Sequence, residues 1–98
     1  MTTKAEAPGV RVQLLHAAGC PLVDRVRETA RRSLVRAGCD VRIEELAGDY
    51  PSPTLLVDGV DVVTGRAPDP HRACRLDLPT EAQVTAALRA ARLRQGPT

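Results

Sequence analysis

Cys20 stands in the tripeptide Gly19-Cys20-Pro21, where an apolar run from Val10 to Leu15 ends and a helical pattern begins. A thiol at the start of a helix meets unpaired backbone N–H groups and the positive end of the helix dipole. Both favour the thiolate, the form that attacks disulfides and binds soft metals. A buried cysteine can equally serve as a small hydrophobe, and the tripeptide by itself admits that reading too. Leu22 and Val23 follow Pro21, so there is no Cys-x-x-Cys pair, and any intramolecular disulfide of Cys20 must use a distant thiol. Cys74 is the candidate for that resolving role; read plainly, it is a loop residue without a partner. Cys39, immediately after Gly38, reads as structural.

Other side chains extend the chemistry. His71-x-x-Cys74 has the spacing of metal ligands, and His16, Cys20, His71 and Cys74 could together surround a tetrahedral zinc. These residues come from a strand end, a helix start and a proline-rich loop, and neither a resident metal nor a cofactor is expected. His16 also reads as an ordinary strand-end residue. Asp24 lies one helical turn past Cys20 and could carry protons for the thiol, although an acid in a first turn also simply complements the dipole.

The elements that must position these groups alternate in type. Val10, Val12 and Leu14 fall at every second position, and Leu15 and His16 continue a strand with at least one buried face. From Pro21 the period lengthens: Val23, Val26, Ala30, Leu34 and Ala37 form one stripe, with Arg25, Glu28, Arg31, Arg32 and Arg36 away from it. Pro21 suits the first helical turn and Gly38 the C-terminal stop. Val41 to Leu46 reads as a strand at a sheet edge. Thr54 to Val57, the turn Asp58-Gly59 and Val60 to Val63 read as a hairpin. Residues 64–79 hold three prolines and show no period, which predicts a long loop. Thr80 then reads as the N-cap of a second helix, with Gln83 in capping-box position and Val84, Ala87, Leu88 and Ala91 as its buried stripe.

Composition narrows the possibilities. The 98 residues make one small domain, expected over residues 10–95 with flexible tails at 1–9 and 96–98. The net charge of +2 names no partner, and one Tyr with no Phe or Trp leaves no aromatic platform for single-stranded nucleic acid. Residues 1–9 are polar and no segment approaches the ~18 apolar residues of a membrane span. A cytoplasmic location and reduced thiols are therefore expected, the three cysteines being an odd number with no secretion signal.

The order β-α-β-β-β-α is that of an α/β protein with a mixed four-stranded sheet. It resembles the thioredoxin-like fold, and more narrowly small bacterial thioredoxin-like proteins, some of which carry the label alkylmercury lyase-like. The resemblance rests on Leu14-Leu15-His16-Ala17-Ala18-Gly19-Cys20-Pro21, on Ser52-Pro53-Thr54-Leu55-Leu56-Val57-Asp58-Gly59, and on Ala73-Cys74-Arg75-Leu76. One departure stands out. The family's helix between its second and third strands is missing, because only Ala47 to Ser52 remains for it, a span of about 20 Å at most. That leaves an open edge where a protein partner could dock.

The resemblance implies a cis Pro53 that exposes the Ser52 backbone to a substrate chain and excludes a metal, with Pro21, His16 and Thr54 beside it. The alternative is an ordinary trans proline at a strand start. In that fold the first strand ends at Cys20, the third begins beside it at Pro53, and the fourth finishes there at Thr64. The loop carrying His71 and Cys74 would then start beside Cys20.

Three functions follow as expectations. The first is a thiol–disulfide oxidoreductase acting on a disulfide-containing protein or a low-molecular-weight thiol, with Cys20 as nucleophile and Cys74 or an external thiol resolving. The second, implied by the family label, is handling of a soft metal or organomercurial, with Cys20 and Cys74 holding mercury and Asp24 protonating the leaving carbanion. For that second function the chain is too short to include the additional domain of true alkylmercury lyases, and its Cys-x-x-x-Asp spacing is not theirs. The third is a non-catalytic interaction module on the same fold.

Overall fold

A computed structural model of the chain describes residues 10–68 and 77–95. Its elements are β1 (Val12–His16), α1 (Val23–Ala37), β2 (Ile43–Ala47), β3 (Thr54–Val57), β4 (Val60–Asp61) and α2 (Glu81–Gln95). They form a four-stranded mixed sheet in the order β2-β1-β3-β4. β1 runs parallel to β2 and antiparallel to β3, and β3 runs antiparallel to β4. The protein is thus α/β, with β2 at one edge of the sheet.

The strand period decides which residues make the core. In β1, Val12 and Leu14 share a face, and the register sets them opposite Val57 and Leu55 of β3. All of these are buried, in one cluster with Val23, Val26, Ala30 and Leu34 of α1 and Val84, Leu88 and Ala91 of α2. Both helices therefore draw their apolar stripes onto the same sheet face. Leu15 and Leu56 alternate to the opposite face and are also buried, at 4% and 5% exposure. No helix lies between β2 and β3, as the short connection requires.

Helix boundaries follow local chemistry. Gly38 closes α1 in the left-handed conformation at φ 68°, with its N–H directed to the carbonyls of Leu34 and Val35. Glycine takes that conformation without the strain that a Cβ adds. At the start of α2, the Thr80 hydroxyl accepts the Gln83 N–H at 3.1 Å while the Gln83 carboxamide accepts the Thr80 N–H at 2.9 Å. This is the reciprocal capping box.

Three details depart from the sequence expectation. The helix starts at Val23 rather than Pro21: Leu22 is its N-cap, and Pro21 lies in the preceding turn. The second strand is displaced, starting at Ile43 because its pairing with β1 starts only at the Val12–Ile43 position. The fourth strand stops at Asp61 instead of reaching Val63. There the Asp61 carboxylate accepts the Val63 N–H at 2.8 Å, its carbonyl accepts the Gly65 N–H, and its own N–H donates to the Arg66 carbonyl. The pairing accordingly ends with the Val62 N–H on the Leu55 carbonyl at 3.1 Å, one residue short of the start of β3 at Thr54. Thr64 is not carried by a strand to the sheet end that holds Cys20.

Candidate functional site

The end of the sheet where β1 finishes and β3 begins collects most of the residues singled out above. Leu15 pairs with Thr54, so His16 falls one step beyond, opposite Pro53. The chain then turns through Ala17 to Cys20, where the Cys20 N–H donates to the Ala17 carbonyl at 3.2 Å and Gly19 sits at φ 77°. A turn with positive φ at its third residue favours glycine there, which accounts for Gly19 immediately before the thiol. Cys20 is half-buried and packs against the core cluster.

The start of α1 offers no side chain to its own backbone. Leu22 is the N-cap and makes no side-chain cap hydrogen bond, because an aliphatic residue has no acceptor to give. The first-turn N–H groups therefore lack the side-chain acceptor that Thr80 supplies in α2.

Across the rim, Pro51, Ser52, Pro53 and Thr54 are all buried. The Ser52–Pro53 peptide bond is cis. The Thr54 hydroxyl donates to the Pro51 carbonyl at 2.6 Å. Ser52 is only 3% exposed, yet its Oγ has no hydrogen-bond partner among the described residues. A buried hydroxyl without a partner costs on the order of 1–3 kcal/mol, so its position next to the site residues is notable.

Two charged residues that the sequence reading passed over complete this rim. Arg27 forms a bidentate pair with Glu45, Nε to Oε2 at 2.5 Å and Nη2 to Oε1 at 2.8 Å, and also pairs with Asp24. His16 Nε2 lies 3.8 Å from Glu45 Oε1. The Arg27 hydrogen bond, opposed by desolvation, holds the Glu45 carboxyl below the usual range, while Glu45 and then Asp24 raise the guanidinium of Arg27. Asp24 and Arg27 stand three apart on one helix and their pairing was readable from spacing. Glu45 arrives through the parallel register of β1 and β2, which no local pattern encodes.

The structure thus places His16, Cys20, Pro21, Ser52, Pro53 and Thr54 at one end of the sheet. Asp24 is on the same helix start, but its side chain is 90% exposed and held by Arg27. This geometry suits an acid that complements the helix dipole better than one aimed at the thiol. His71 and Cys74 lie outside the described residues, as do the expected tails. Among the described residues no cluster of three or more His, Cys, Asp or Glu could hold a metal ion. Cys39 lies at the other end of α1, packed partly against the core, with Arg92 Nη2 at 2.8 Å from its Sγ and 3.2 Å from the Ala37 carbonyl. Among the described residues no helix is long and apolar enough to cross a membrane. Compared with protein-family models, curated proteins and solved structures, the chain matches none of them.

Proposed function

We propose that this chain acts on disulfides through Cys20, as a small thioredoxin-like thiol–disulfide oxidoreductase. The observation that carries the reading is the start of α1, without a side-chain cap, three residues beyond a half-buried thiol, at the sheet end that also holds the buried Ser52-Pro53-Thr54 segment. Backbone N–H groups with no side-chain acceptor are suited to a developing thiolate.

In the reaction, the Cys20 thiolate attacks one sulfur of a substrate disulfide. A Cys20–substrate S–S bond forms, the original S–S bond breaks, and the leaving thiolate takes a proton from water. A second thiol, Cys74 or an external low-molecular-weight thiol, then attacks Cys20 and releases the substrate as a thiol. Attack by Cys74 leaves the protein as the Cys20–Cys74 disulfide. Attack by an external thiol leaves a Cys20–thiol mixed disulfide, which a second molecule of that thiol cleaves, so that two external thiols end as one disulfide. By either route two electrons have passed to the substrate.

Thiol mapping by mass spectrometry tests this. Cys20 is expected to alkylate at least about tenfold faster than Cys39 near neutral pH, since reactivity tracks thiolate character and access. Cys20→Ser should abolish reduction of a model disulfide such as the insulin interchain bonds. In Cys74→Ser the mixed disulfide should accumulate if Cys74 resolves, and turn over unchanged if an external thiol does. A Cys20 that alkylates no faster than Cys39, or a Cys20→Ser variant with full activity, would overturn the proposal.

A further inference from the structure

The free edge of β2 carries a second pattern, independent of the thiol. At the end of the β1–β2 ladder the Gly48 N–H donates to the His16 carbonyl at 2.9 Å. Backbone groups of successive residues in a strand point to opposite sides, so Glu44 and Leu46 also face β1. Ile43 and Glu45 therefore direct their N–H and C=O outward, away from the sheet. Among the described residues β2 has no neighbouring strand on that side. Such an edge is a template for another strand unless something blunts it.

The side chains along this edge are ordered Arg42-Ile43-Glu44, and that order is self-complementary. β2 begins at Ile43 and Val41 and Arg42 precede it, so a two-fold axis at Ile43 pairs each β2 antiparallel with the other copy's strand start continued through Arg42 and Val41, and Ile43 faces Ile43 of the second copy as a hydrogen-bonded pair. Arg42 then faces Glu44 and Glu44 faces Arg42, both as non-hydrogen-bonded pairs, the kind whose side chains stand closest. Val41 faces Glu45, again with backbone hydrogen bonds. Centring the axis on Glu44 or Glu45 instead sets like charges against each other.

The neighbouring surface agrees. A groove of about 410 Å³ runs between α1 and this edge, lined among others by Arg31, Val35, Val41 and Ile43. Val35 is 79% exposed, one of two large hydrophobic residues left so open among the described residues. The two-fold axis stands perpendicular to the sheet, so both copies keep their helices on one side and bring Val35 of each α1 toward the junction. Arg42 has no ion-pair partner among the described residues, and Glu44 pairs with the exposed Arg11 at 3.5 Å and accepts a hydrogen bond from the Gln13 carboxamide at 3.2 Å.

We infer that two copies of this chain associate through antiparallel pairing of their β2 edges about Ile43, forming a continuous eight-stranded sheet held by reciprocal Arg42–Glu44 pairs. Sedimentation velocity under a phosphine reductant, from micromolar to millimolar protein, tests it without interference from disulfides. The parent chain is expected to dimerise with increasing concentration. Arg42→Glu and Glu44→Arg each place like charges across the junction and should raise the dissociation constant by about tenfold or more. Mixed in equal amounts, these two variants carry opposite charges at every facing position and should form a heterodimer, and the double variant R42E/E44R should dimerise like the parent. Val35→Asp serves as a second variant away from the strand and should also weaken the dimer, with far-UV circular dichroism checking that each variant is folded. A parent that stays monomeric throughout, or charge variants that associate as the parent does and show no preference for one another, would overturn the inference.

Discussion

At the scale of single residues, Glu45 holds more of the site together than any residue the sequence drew attention to. It takes both arms of the Arg27 fork and lies within 3.8 Å of His16, so one carboxylate ties the start of α1 to β2 and to the end of β1. Its lowered pKa makes this a pH-dependent tie. A carboxyl whose native pKa is depressed stabilises the fold fully above the ordinary value of about 4.3, and that stability is lost as pH falls through the lowered native value. Glu45→Gln should therefore be less stable than the parent near neutral pH. The gap should stay constant down to about pH 5 and close on further acidification, once the parent's carboxyl is protonated as well. Denaturant titrations of both proteins at successive pH values measure it; a gap that persists undiminished in acid would show that the glutamine costs packing instead of charge.

Among the elements, those whose cause is local were readable from the chain. The Asp58-Gly59 turn is built with both residues at positive φ, 51° and 81°, joining Val57 and Val60 as the two-residue hairpin the sequence implied. The Thr80–Gln83 capping box forms as its spacing required. Thr80→Ala should remove the cap of α2 and cost about 1 kcal/mol, measured by urea unfolding, whereas Thr80→Ser should cost little because it keeps the hydroxyl. What was not readable depends on where the chain goes next. Val62 and Val63 have strand-like composition, but the Asp61 carboxylate captures the Val63 N–H and turns the chain away. The start of α1 was placed too early because Pro21 is compatible with a first turn and with the turn before it. Likewise, nothing in Arg27 or Glu45 alone announces their meeting across eighteen residues of chain.

For the molecule as a whole, one core serves both helices and the sheet. Leu14 lies at its centre at 0% exposure, in register with Leu55 and in the same cluster as Leu34 and Leu88. With β1, β3 and both helices in that cluster and Ile43 of β2 packed against it, partial unfolding leaves little to stand alone, and a single cooperative transition is expected. Leu14→Ala should lower stability by about 2–5 kcal/mol. Loss of helical circular dichroism and alkylation of the half-buried Cys39 should follow the same denaturant midpoint in parent and variant. Cys39 labelling well ahead of helix loss would show that the far end of α1 opens separately. The pattern of burial was largely anticipated from the helical and strand periods, since those periods only require that one face meet another.

The Arg27–Glu45 fork has a thermodynamic consequence that reaches past stability. The carboxylate that steadies the thiol's helix stands on the strand whose outer edge is open, at the position that would face Val41 of a second copy. Free energies of two events that share a group are reciprocal: whatever strand addition at that edge does to the energy of the Cys20 thiolate, a change in the state of Cys20 does in equal measure to strand addition. Any effect of strand addition on Cys20 would have to pass from Glu45 through Arg27 and α1, and an effect read from one side must be read equally from the other.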